Sequence, residues 1–226
     1  CQHRNRYDAQ MLRFFAFFAL CVGMMGPAFA ESDRPVLVEL FANQNCPACP
    51  KAHRTMKQID DERDDVLILT WTVNYWDYLG EPDPMALPEA KDRQMAYTDR
   101  LSLRAPYTPQ SFYDGAKECP GTRKRDIRRN IKSRVQSRSA SPPGLTWDGA
   151  SVRVSGVSEA TLELKLVEYL TDEANYTTMV NPVTRVESLG LWMDPADEFP
   201  VNCNSACAVL LQEQDSGEVV AVSVIN

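Results

Sequence analysis

Positions 36–41 read Val-Leu-Val-Glu-Leu-Phe, apolar everywhere but one, which predicts a strand buried on both faces. Residues 51–60 follow with Ala52, Met56 and Ile59 on one side, the spacing of a helix. Positions 66–73 form a second strongly apolar strand. A helix between two such strands makes a parallel β-α-β pair the simplest arrangement. Residues 89–103 predict a helix that buries Ala96 and Leu103. Residues 108–115 then read as a turn, a short strand and a hairpin tip, with 116–119 pairing back. Over 123–138 the chain predicts a basic amphipathic helix, with Ile127, Ile131 and Val135 on one face and the arginines in water.

The texture changes after Ser139-Ala140-Ser141-Pro142-Pro143-Gly144, which reads as a linker. Segments 151–157 and 161–170 alternate apolar and polar residues, as half-buried strands do. Segment 183–192 fits strand or helix. Segments 208–212 and 219–225 flank Asp215-Ser216-Gly217, a hairpin signal with glycine in the turn. The pattern divides the chain into an α/β domain over 31–141 and a β-rich domain over 145–226.

The N-terminal segment carries an address. Met11-Leu12-Arg13 opens a short basic stretch, residues 14–25 are apolar, and Pro27-Ala28-Phe29-Ala30 ends in the small residues a signal peptidase reads. Residues 11–30 therefore predict a signal peptide, and residues 1–10 read as an upstream extension from a mis-assigned start. Beyond Ala30 no apolar run is long enough to span a bilayer, so no membrane insertion is expected after cleavage. The expected location is periplasmic or secreted. A net charge of −7 and export both argue against nucleic acid as a partner.

Export changes the reading of the cysteines, because disulfides persist in oxidising compartments. Asn45-Cys46-Pro47-Ala48-Cys49-Pro50 lies between the first strand and the first helix. A cysteine reacts as its thiolate, which the free N–H groups of a helix N-terminus stabilise. On this reading Cys46 is an exposed nucleophile and Cys49, one turn on, the resolving thiol. Pro47 suits an early helical position; Pro50 fits less comfortably there. Two other readings compete. The pair can be a permanent structural disulfide, or two soft ligands of a metal such as copper, with His53 the third candidate.

Two further segments bear on such a site. Thr108-Pro109 before a strand is a candidate clamp for an extended thiol substrate if the proline is cis; both that residue and Pro106 also read as ordinary turn prolines. In Asn74-Tyr75-Trp76-Asp77-Tyr78-Leu79-Gly80 the aromatics can wall the site while Asp77 accepts a proton from Cys49. Alternatively, Asp77 pins the loop through backbone N–H groups and Trp76 packs. Among the remaining cysteines, Cys203 and Cys207 are spaced for a local disulfide, slightly favoured over a Cys119–Cys203 link.

In series, Val38-Glu39-Leu40-Phe41, Cys46-Pro47-Ala48-Cys49-Pro50, Tyr75-Trp76-Asp77-Tyr78-Leu79-Gly80, Asp83-Pro84 and Tyr107-Thr108-Pro109-Gln110 resemble a bacterial family of secreted proteins labelled DUF1223. Val183-Thr184-Arg185-Val186, Leu189-Gly190-Leu191-Trp192 and Cys207-Ala208-Val209-Leu210 match its later landmarks. The resemblance implies a thioredoxin-like fold followed by a β-rich C-terminal domain, a redox-like site at Cys46 and Cys49, and Pro109 in the place of that fold's cis proline. Thr72 and Asn74 stand where family members often carry histidine and aspartate.

These readings lead to one expectation and one rival. The first is thiol–disulfide exchange with protein or small-molecule thiols and disulfides. Its site is Cys46, Cys49, Asp77 and Pro109, with Thr108, Tyr75 and Trp76 contacting substrate and no cofactor. The rival is a non-catalytic secreted binding protein with a structural disulfide or a thiolate metal site.

Overall fold

The computed structural model describes residues 34–139, 141–193 and 197–225. The expected signal peptide and upstream extension lie outside the described residues. Among those described, no helix is long and apolar enough to cross a membrane.

The first half is a mixed α/β region. Strand β1 (Val36–Ala42) pairs in parallel with β2 (Val66–Thr72), and helix α1 (Cys49–Asp60) connects them. Helix α2 (Pro88–Arg100) leads to β3 (Gln110–Tyr113), which runs antiparallel to β1 and turns back into β4 (Lys117–Pro120). The sheet order is β2-β1-β3-β4, and helix α3 (Lys124–Ser137) follows it.

The second half is β-rich. Strands β7 (Leu162–Tyr169), β8 (Val183–Trp192), β10 (Ala206–Glu213) and β11 (Val219–Ile225) form an antiparallel sheet of order β11-β10-β7-β8. A smaller sheet holds β5 (Gly144–Trp147), β6 (Ser151–Ser155) and β9 (Glu198–Pro200) in the order β5-β6-β9.

Strand alternation explains how these sheets stack. Successive side chains point to opposite faces, and both faces of β1 are buried. Val36, Val38, Leu40 and Ala42 pack with Ala52, Met56 and Ile59 of α1 and with Ile127 and Ile131 of α3. Leu37 and Phe41 face the other way, into a core shared with Val167, Ala208, Leu210 and Val222 of the second sheet. The far face of that sheet puts Leu162, Leu164, Val209 and Leu211 against Val152, Val154 and Phe199 of the third. The result is α1 and α3 on one face of the first sheet, α2 and the second sheet on its other face, and the third sheet beyond, with the β-rich region packed directly on the α/β region.

The structure corrects several local expectations. Helix α2 ends at Arg100, so Leu103 lies beyond it, and both Ala96 and Leu103 are only half-buried. On α3, Ile127 and Ile131 are buried as expected, but Val135 is 40% exposed and Arg134 takes the inward place. Arg134 can do so because its Nε donates to buried Asp114 at 3.0 Å and its Nη2 also bonds Glu218. The ambiguous segment 183–192 is a strand, because β7 provides it a full antiparallel partner.

Candidate functional site

The turn between β1 and α1 is organised by two carboxylates from a later loop. Asn43 Nδ2 donates to the Val73 carbonyl at 2.6 Å and to Asp77 Oδ1 at 3.1 Å, while its Oδ1 accepts the Asn45 N–H. Asp83 Oδ2 accepts the Gln44 N–H at 2.7 Å, and its Oδ1 accepts that of Met85 at 3.0 Å. Asp77 Oδ1 also accepts the Asp83 N–H. Asp77 thus fastens the loop at the strand end, the pinning alternative noted above, and no hydrogen bond joins it to Cys49.

Cys46 and Cys49 are joined as a disulfide, their Cα atoms 5.4 Å apart. Helix α1 begins at Cys49, with Ala48 as its cap residue. Cys46 and Pro47 therefore lie in the preceding turn, where the Cys49 N–H donates to the Cys46 carbonyl at 3.1 Å. Pro50, not Pro47, takes the early helical position, where a missing N–H costs no intrahelical bond. The expected exposure of Cys46 is not found: Cys46 is 2% and Cys49 1% exposed. Both belong to the core cluster with Ala52, Met56, Ile68 and Val180, and Trp76 packs against it.

The remaining sequence candidates occupy definite places. The Thr108–Pro109 peptide bond is cis. The Pro109 carbonyl accepts the Gly121 N–H at 2.9 Å. A side chain at Gly121 would meet Leu40, Ala52 and Pro109, so Pro109 comes close to α1 one turn past Cys49. The Tyr75 hydroxyl donates to Gln94 Oε1 at 3.1 Å. Trp76 Nε1 and Thr108 Oγ1 are buried without a hydrogen-bond partner.

His53, one turn after Cys49 on α1, is 8% exposed, and its Nδ1 is buried with no partner. Burial pushes its pKa down to about 4, against an opposing pull from the Asp83 charge. His53 and Cys49 share a cleft of about 270 Å³ with Asp83, Met85, Thr177 and Met179. The last two belong to a segment between β7 and β8 that is tied across β2. The Thr70 N–H donates to the Asn181 carbonyl, Thr70 Oγ1 donates to the Val180 carbonyl at 2.7 Å, and Asn181 Nδ2 donates to the Ile68 carbonyl. Sequence reading missed this roof. Nothing local in residues 175–182 announces that they cross the α/β region, whereas Cys49, His53 and Asp83-Pro84 of the same cleft carry a signal in the sequence.

Elsewhere, Cys203 and Cys207 form the second disulfide, and Cys119 is a free, buried thiol. Its sulfur lies 3.2 Å from the Tyr113 hydroxyl, and burial raises its pKa, partly offset by hydrogen bonds from Tyr113 and Ser111. Among the described residues, no group of three or more histidine, cysteine, aspartate or glutamate side chains gathers as a metal site. A larger cleft of about 640 Å³ opens between α2 and the second sheet, along Arg93, Lys165, Glu187 and Gln212, and includes no residue of the disulfide site.

Comparison with known proteins places the chain. A crystal structure of an Agrobacterium tumefaciens protein superposes with a TM-score of 0.70 at 25% identity, covering 84% of this chain and 93% of that one. HBP35 of Porphyromonas gingivalis aligns with a TM-score of 0.56 at 10% identity, covering 85% and 75%; that likeness concerns the fold alone. No curated protein matches the chain. The model of the family described as "Protein of unknown function (DUF1223)" matches residues 37–223, and the chain belongs to that family.

Proposed function

We propose that this protein is an exported, non-catalytic binding protein in which Cys46–Cys49 is a permanent cross-link. The scaffold is a thioredoxin-like domain over 31–141 carrying a β-rich domain over 145–226. The observation that carries the reading is the burial of both cysteines, at 2% and 1% exposed. Thiol–disulfide exchange needs an attacking thiolate to reach one sulfur in line with the bond, and its rate depends on that access. Here both cysteines sit in a core cluster with Val180 and the apolar side of α1, and Trp76 packs against that cluster. Disulfide cross-linking belongs with a periplasmic or secreted setting.

A second reading, exchange with Cys46 as nucleophile and Cys49 as resolving thiol, draws on one specific feature. Cys49 borders the cleft beside α1, and Pro109 approaches the same helix. Exchange would then require the roof formed by residues 175–182 to lift.

Reduction of insulin by dithiothreitol separates the two. The binding reading predicts the same precipitation rate with the protein present as without it. Acceleration that disappears in Cys46→Ser would overturn it in favour of exchange.

A further inference from the structure

The cleft beside the disulfide carries donor groups that a cross-link does not use. His53 lines it, and its Nδ1 is buried without a hydrogen-bond partner in a residue that is more than nine-tenths buried. A buried polar nitrogen without a partner has lost its hydrogen bonds to water with nothing in exchange, and such a group calls for an explanation. Met85 and Met179 line the same cleft. Both sulfurs are oriented by a hydroxyl: Tyr176 OH donates to Met85 Sδ at 2.9 Å, and Thr72 Oγ1 donates to Met179 Sδ at 3.6 Å. A thioether has a second lone pair, so each sulfur keeps donor capacity while being held in place.

Two observations decide which ligand suits these groups. Asp83 supplies negative charge to the cleft, but both of its oxygens are already engaged by the N–H groups of Gln44 and Met85. A hard divalent cation would want free carboxylate or carbonyl oxygens. Thioether sulfur and neutral imidazole are the softer donors that favour monovalent copper. The disulfide sulfurs of Cys46 and Cys49 are not thiolates and take no part.

We propose that this cleft binds a cuprous ion through His53, Met85 and Met179, with the Cys46–Cys49 disulfide closed. Binding transfers no electrons: the imidazole and the two thioethers donate lone pairs and displace the ligands that delivered the ion. The three donors come from α1, from the loop after Asp83 and from the roof between β7 and β8. A bound ion would therefore tie the β-rich region to the helix that follows the disulfide. The inference names a ligand for the binding protein proposed above and rests on the closed disulfide of that reading.

The test is an anaerobic titration of the purified protein against the cuprous bicinchoninate complex. Alkylation and mass measurement on the same sample count free thiols. The expected result is one copper withdrawn per chain, with Cys46 and Cys49 unalkylated. Met85→Leu and Met179→Leu should each weaken the affinity at least about ten-fold with an unchanged circular dichroism spectrum. His53→Gln should do the same. No withdrawal of copper with the disulfide closed overturns the inference and leaves the structural-disulfide reading standing, as does equal binding by both methionine variants. Copper taken up only after Cys46–Cys49 is opened overturns both.

Discussion

Arg93 holds Glu39 with both arms of its guanidinium, Nε to Oε1 at 2.6 Å and Nη2 to Oε2 at 3.1 Å, and the carboxylate is fully buried. The pair joins α2 to β1, the strand that leads into the disulfide turn. Arg93 Nη1 donates to Gln212 Oε1 at 3.0 Å, and the Tyr97 hydroxyl donates to Glu39 Oε2 at 2.6 Å. The guanidinium also lies 5.2 Å from the Trp71 ring centroid and 5.0 Å from that of Tyr97. Removing one partner of a buried ion pair strands the other charge, at a cost of about 3–5 kcal/mol. Arg93→Ala should therefore lower the urea midpoint by that equivalent. The double variant Glu39→Leu with Arg93→Met should lose less than Arg93→Ala alone, since it leaves no unpaired charge. A double variant as unstable as the single one would show that packing, not charge, dominates there.

The disulfide itself contributes through the unfolded chain. Four residues closed into a ring give roughly 2 kcal/mol by loop entropy. Cys46→Ala with Cys49→Ala should lower unfolding stability by about that amount, read from denaturant midpoints. In residues 31–226 with both disulfides intact, alkylation without reductant should modify no thiol in the native state and one, Cys119, after denaturation. A second modified thiol would contradict the cysteine pairing.

His53 makes acid stability a measurable signature. Its folded pKa, about 4, lies below the ordinary value of 6.5, so the unfolded chain binds the extra proton first. Stability from this group is complete above about pH 6.5 and is lost as the pH falls towards 4, by at most about 3 kcal/mol. Urea unfolding of the metal-free protein across that window should show the decline. His53→Gln should flatten it, and an unchanged slope in that variant would assign the decline to other groups.

Gly115 sits at φ +66° against the Gly217 carbonyl, where the β3–β4 tip meets the β10–β11 hairpin. The Val219 N–H donates to the Asp114 carbonyl at 2.8 Å across the same junction. Left-handed backbone costs a β-carbon about 1–2 kcal/mol, and the carbonyl adds a clash. Gly115→Ala should lower the melting temperature by at least about 4 °C. Gly149, also at positive φ but facing open space, should tolerate alanine better. Equal losses at both glycines would remove the junction from the explanation.

Much of this was legible in the chain. The unbroken apolar runs of β1 and β2 and the helical spacing of Ala52, Met56 and Ile59 each announced their element, because local burial pattern and structure agree there. Val135 failed because Arg134 found Asp114 and Glu218, partners distant in sequence that no periodicity shows. Strands β5 and β9 are too short to carry a pattern and exist through pairing with β6. At the site, Cys46 and Cys49 were evident, yet their burial was not, since Val180 and Met179 arrive from the second half of the chain.

The reduction potential of Cys46–Cys49, measured by equilibration with dithiol redox buffers, tests the central claim most directly. A buried, structural cross-link predicts a value below about −300 mV. A value between about −120 and −270 mV would contradict it and return the pair to exchange chemistry.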